Sequence, residues 1–394
     1  MHRHVKQNDN MSIFIDVADG LHRPGEGVSS SNSLVVTGTK PVDVKYVSDT
    51  LLGVDYVFAE KIDVCDVSSE EDAEVLRSIA DHIAVEDELV LDQVQNVSAI
   101  SVTLICCMLG VQRCKALKCL TTTCMTVLRE IDLCDLPRLI DLGPSPLNAY
   151  KIFIDRCDTL SGAIELGPRV RDFTLQRCSA INNVVLDSGC SSEMEISISN
   201  CLSLVSVTYD SQDVGTLACY YVRCCPLLTY HPNASVTKAL VLNNLPATSK
   251  RNVPQCVSGV LELSNVTLLV DDSVKYSIVK RTEKGQIVDN VYLDNVSGEP
   301  YQVHINDILD TATPCNRYVH TLEVTDCGSI NFSYASLRAV CTFRARLTGL
   351  LPDVIARMKK NCNVEDIGSV SFAVNEGKYD TESEDDSDDN IMHE

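Results

Sequence analysis

The chain has 394 residues and a net charge of −22, from 33 Lys and Arg against 55 Asp and Glu. Such an excess of carboxylates repels nucleic-acid backbones and anionic membrane surfaces, so it excludes both as direct partners and favours a basic one. The 45% of hydrophobic residues include no tryptophan, and aromatics are only 5% of the chain, so the core is aliphatic and β-branched, a composition suited to stacked strands.

From the N-terminus, residues 1–32 are polar and rich in Ser and Gly, and read as poorly ordered. The opening "MHRHVKQNDNMSIFIDVADG" has no long apolar stretch followed by small residues, so it does not read as a secretory signal, and no run of about twenty apolar residues predicts a membrane span. The expected setting is therefore the cytosol or nucleus, where 19 cysteines stay reduced. Residues 33–88 read as an N-terminal cap, with a helix near 68–83 announced by Ser68 and Glu71 in capping-box spacing.

An internal repeat fills residues 89–345. The segments "IFIDRCDTLSGAIEL" (152–166), "FTLQRCSAINNVVL" (173–186), "ISISNCLSLVSVTY" (196–209) and "CYYVRCCPLLTY" (219–230) share one rule. Two apolar residues alternate with free positions, two positions follow, then Cys, and a Leu-like residue closes the phrase. Elsewhere Leu or Val replaces the Cys, which gives a marker column of Cys114, Leu136, Cys157, Cys178, Cys201, Cys224, Leu245, Val266, Val296 and Cys327. Extended back to Val67 and Val94, the steps are 20 to 27 residues as far as Val266, then 30 and 31, with insertions read near 270–290 and 297–321. The alternation predicts one short strand per period, stacked into a parallel sheet, and a second apolar run such as Val184/Leu186 or Val207/Tyr209 that closes each coil.

Residues 346–374 read as a C-terminal cap, with a helix in "LPDVIARMKKNC" (351–362) started by Pro352. Residues 375–394 read as a disordered acidic tail, in which Thr381, Ser383 and Ser387 precede carboxylates as candidate phosphosites.

These phrases resemble the leucine-rich-repeat superfamily, whose signature is L-x-L-x-x-N/C-x-(x)-L. The continuation through Cys201, Leu204, Val207 and Tyr209 looks most like the BspA-like subclass, with a second strand in place of a helix. The resemblance covers roughly residues 60–340 and departs from the family in irregular spacing and in the many Leu and Val markers. It implies a mainly β solenoid with few helices and helical caps, acting as a protein-binding scaffold.

Leu and Val at equivalent markers assign the Cys column to packing, since neither can ligate or attack. Cys114, Cys119 and Cys124 stand five apart, without C-x-x-C or a nearby His, so no metal is expected. No catalytic loop motif or close carboxylate pair occurs, so no enzyme chemistry and no cofactor are expected. Binding is assigned to the outward positions of the strands: Asp132, Phe153, Asp155, Thr174, Gln176, Ser197, Ser199, Tyr220, Val222, Asn243, Glu262, Tyr292, Asp294 and Glu323. Aromatics there serve as anchors and carboxylates select a basic protein. Three other readings compete: a surface-displayed BspA-like protein in adhesion or host interaction, an acidic histone-binding protein, and a β-helix hydrolase.

Overall fold

The computed structural model describes residues 5–6, 11–15, 33–38, 57–65, 83–94, 97–104, 108–124, 128–143, 146–211, 214–270, 276–281, 287–300, 302–310, 318–327, 330–331, 339–346 and 363–367. A parallel sheet runs from Ser33–Gly38 through one strand per coil to Asn363–Ile367. Met11–Ile15 adds to its first edge antiparallel and pairs in turn with Val5–Lys6, within the stretch read as poorly ordered. The fold is a parallel β-solenoid.

The alternating residues of each strand divide as the sequence requires. Ile131/Leu133, Ile152/Ile154, Phe173/Leu175, Ile196/Ile198 and Leu240/Leu242 point inward and are at most 5% exposed. The facing runs form a second wall, where Gly162–Leu166, Ile181–Leu186 and Ser206–Tyr209 stack in parallel. Val184 pairs with Val207 and Leu186 with Tyr209, so the closing apolar pairs meet coil on coil. The core is one apolar column between these walls, and each coil gains most of its burial from its two neighbours.

One turn repeats through eleven coils. Immediately before each marker the backbone passes through the left-handed region, with φ between 49° and 56° at Gln93, Arg113, Asp135, Arg156, Arg177, Asn200, Cys224, Asn244, Asn265, Asn295 and Asp326. Six of these are Asn or Asp, the non-glycine residues that adopt this conformation at least cost. From Gln93 to Asn295, each N–H in this column donates to a carbonyl of the following coil at 2.9–3.1 Å. The turn therefore leaves no orphan donor there, and it swings the next residue into the core.

This turn corrects the alignment of the seventh coil. Cys224 lies in the left-handed column, so its marker is Cys225, which is fully buried while Cys224 is partly exposed. Ile196 pairs with Tyr220, Ser197 with Tyr221, Ile198 with Val222 and Ser199 with Arg223. A one-residue slip exchanges the two faces of a strand, so Tyr220 and Val222 belong to the core, and Tyr221 and Arg223 take the outward places. The vicinal cysteines concealed the slip, because Leu227 and Leu228 offer a closing Leu to either. The discriminating signal is Pro226: Pro137 and Pro246 directly follow their markers Leu136 and Leu245, which selects Cys225.

The wide coils near the C-terminal end add a third wall, in which Val279 bridges to both Cys256 and Leu309. Within it, buried Lys250 reaches Asp307 at 2.5 Å, tying two single helical turns, Lys250–Asn252 and Ile305–Ile308. The cap helix read at 351–362, the one read near 68–83 apart from Ile83, and the tail with Thr381, Ser383 and Ser387 lie outside the described residues. Ile83 opens the strand Ile83–Asp92.

Candidate partner-binding face

Strict register turns the outward side of the main sheet into three columns along the solenoid axis. The central column is Gly110, Asp132, Phe153, Thr174, Ser197, Tyr221, Val241, Glu262, Tyr292 and Glu323. On the side of the left-handed turn lie Gln112, Cys134, Asp155, Gln176, Ser199, Arg223, Asn243, Ser264, Asp294 and Thr325. On the other side lie Met108, Glu130, Lys151, Asp172, Glu195, Cys219, Ala239, Val260, Asn290 and Thr321. Of the fourteen residues assigned to the face from sequence, all but Tyr220 and Val222 occupy it.

Occupying the face does not make a residue available. Asp155 is only 2% exposed. Arg177 donates to it through Nε at 2.8 Å and Nη2 at 2.5 Å, and Arg156 lies 3.4 Å away while also pairing with Asp135 at 2.7 Å. Both arginines come from the left-handed column, so the turn positions them over the carboxylate, which is thereby neutralised. Asp92 is held in the same way by Arg113. Ser264 is buried and donates to Asp294 Oδ2 at 3.2 Å.

The carboxylates on the opposite side of the face are less fully matched. Lys151 Nζ meets Glu130 at 2.7 Å, and Lys238 reaches Glu195 at 3.5 Å. Asp132 accepts from Gln112 Nε2 at 3.1 Å through one oxygen, while its other oxygen is buried without a partner. Burial first, then repulsion from Glu130 and Asp155, holds the Asp132 carboxyl above its ordinary range. Asp172 is raised likewise by burial and by Glu195 and Glu130.

The marker thiols form an interior ladder. Each donates to the carbonyl two residues before it: Cys114 to Gln112 at 3.2 Å, Cys178 to Gln176 at 3.2 Å, Cys201 to Ser199 at 3.4 Å and Cys327 to Thr325 at 3.1 Å. The thiol thus fills a methyl-sized space and gives weak support to a carbonyl at the turn. Burial pushes the Cys114 thiol up to about 12, which keeps it a neutral, unreactive group. Among the described residues no group of three or more His, Cys, Asp or Glu side chains converges as metal ligands, and no helix is long and apolar enough to cross a membrane.

One polar pair inside the core has no precedent in the repeat. The Tyr220 hydroxyl lies 3.0 Å from His231 Nδ1, with the two rings edge to face at 5.8 Å. His231 is 6% exposed, and its Nε2 is buried without a partner. Desolvation lowers the imidazole to about 4, so it is neutral at ordinary pH.

No protein-family model, curated protein or solved structure matches this chain.

Proposed function

We propose that this protein is a non-enzymatic scaffold of the leucine-rich-repeat type, most like its BspA-like subclass, whose outward sheet face docks a basic protein in the cytosol or nucleus. One observation carries the reading. With Asp155 neutralised by its arginines, the three outward columns from the second to the eleventh coil hold seven further carboxylates, Glu130, Asp132, Asp172, Glu195, Glu262, Asp294 and Glu323, against two cations of their own, Lys151 and Arg223, and Lys238 beside Glu195. A face with that imbalance steers a basic surface toward it and disfavours acidic competitors. The second short strand of the coils, as in Gly162–Leu166, Ile181–Leu186 and Ser206–Tyr209, supports the likeness to the superfamily.

The test is capture of protein partners on the full chain, compared with a variant carrying Glu130→Gln, Asp172→Asn and Glu195→Gln. Basic proteins retained at low salt, released as salt rises and lost in the variant are the expected result. A set of partners unchanged by the three substitutions overturns the assignment of the face.

A further inference from the structure

Among the described residues nine large apolar side chains are exposed, and four of them stand together in the sixth and seventh coils: Leu202 at 57%, Val205 at 37%, Leu227 at 52% and Tyr230 at 55%. They lie beyond the left-handed turn from the outward face, where the chain enters the second wall. There the first, second, fourth and fifth residues after the markers Cys178, Cys201 and Cys225 are all uncharged, while the third points into the core. In a chain of net charge −22 such a strip offers a basic partner nothing to select.

The places of the four residues obey a two-fold rule. Ser206 bridges to Tyr230 and the Thr229 amide donates to the Val205 carbonyl, so equal offsets from Cys201 and Cys225 stand side by side. Leu202 and Val205 are the first and fourth residues after their marker; Leu227 and Tyr230 are the second and fifth after theirs. Half a turn about an axis normal to the strip, midway between the two coils and level with the third residue, therefore exchanges Leu202 with Tyr230 and Val205 with Leu227. The same rotation sets Ser203 against Thr229. The first charged side chains beyond the strip are Asp158 in the fourth coil and Arg251 in the eighth, Lys250 being buried on Asp307. Half a turn thus carries the acidic end of one strip toward the basic end of the other.

We infer that a second copy of this chain docks on the strip, antiparallel to the first, with each Leu202 on the other copy's Tyr230 and each Val205 on its Leu227. A contact of this isologous kind requires one patch that complements itself, which the exchange of the four apolar residues and the opposed charges at the two ends provide. The strip spans three coils and five residues, roughly 14 Å by 16 Å, an area well under the roughly 800 Å² per partner of a stable interface. Association is therefore weak and reversible. It strengthens as salt rises, because salt screens the repulsion between two acidic chains.

Sedimentation velocity of the full chain over a wide range of concentration and salt tests this. The expected result is monomer–dimer exchange whose dimer fraction rises with both. Val205→Asp and Leu227→Lys alter exposed positions, and each variant, verified as folded by its melting curve, should raise the dissociation constant at least tenfold. Mixed together, the two variants should dimerise again: the introduced carboxylate of one chain meets the introduced ammonium of the other, and the second contact keeps Leu on Val. A chain that stays monomeric throughout, or a dimer that survives both substitutions, overturns the inference. A mixture that fails to restore the dimer overturns the two-fold pairing.

Discussion

Cys178 illustrates how much a residue's meaning depends on its column. Alone it is a thiol in an acidic chain; in the stack it occupies the place of Leu136 and Val266, fully buried, with its hydrogen directed at the Gln176 carbonyl. Cys178→Val should therefore change the free energy of unfolding by less than about 1.5 kcal/mol, since the volume is nearly conserved and only a weak hydrogen bond is lost. Cys178→Asp should cost about 3 kcal/mol or more, because the carboxylate would be buried without a cation. Denaturant titration of both variants measures the difference.

His231 supplies a pH dependence of opposite chemical origin. Its imidazole is held at about 4 against an ordinary value of 6.5, so folding favours the neutral form. The contribution is complete above pH 6.5 and is lost as the pH falls toward 4, to a total of about 3 kcal/mol. Among the described residues only Tyr220 bonds the ring, and desolvation is the cause of the shift. His231→Gln keeps an acceptor for the Tyr220 hydroxyl and should flatten the stability profile between pH 6.5 and 4 relative to the parent, as read by unfolding at several pH values.

At the scale of the element, the repeated left-handed turn joins two tasks. It aims the marker inward and, in the fourth and fifth coils, brings Arg156 and Arg177 over Asp155. The value of that cluster rests on Asp155 being buried, because a buried carboxylate that loses its cation is penalised far more than an exposed one. Arg177→Ala should lower the melting temperature distinctly more than Arg171→Ala, whose partner Glu193 is 70% exposed. Equal effects of the two substitutions would mean that the cluster on Asp155 is only a surface pairing.

The alternation of the strands was legible because a period of two, repeated at a near-constant interval, has no helical counterpart. The turn was less so. Its conformation belongs to the backbone, and five of its eleven residues are Gln, Arg or Cys, which carry no signature of positive φ. In the seventh coil, Cys224 and Cys225 satisfy the same pattern, Pro226 is the one sequence signal that separates them, and stacking against Asn200 and Cys201 shows the outcome.

For the whole molecule, stability is a sum over neighbouring coils. Deleting residues 179–201 joins Cys178 to Leu202 in the same phase and removes one full period. The shortened chain should keep its β circular-dichroism spectrum and one cooperative melt, displaced by roughly 5 °C. Deleting 190–201 breaks the phase and should abolish that melt. Should both deletions behave alike, the coils would not be the cooperative units.

The acidic character of the outward face follows from composition and from the pattern of outward residues, and twelve of the fourteen positions assigned from sequence lie on it. Which of them are exposed was decided by contacts between coils: Asp155 is spent on Arg156 and Arg177, each one position beyond its strand's end, and Tyr221 replaces Tyr220.

By itself the sequence determined the solenoid, its period and its two apolar walls, because these follow from a periodicity carried along the chain. Tertiary structure alone decided the buried contact of Tyr220 with His231, the neutralisation of Asp155 and the tie of Lys250 to Asp307. The reason is physical: each of these depends on the register between residues far apart in sequence, and a shift of one position reverses which side chain meets water.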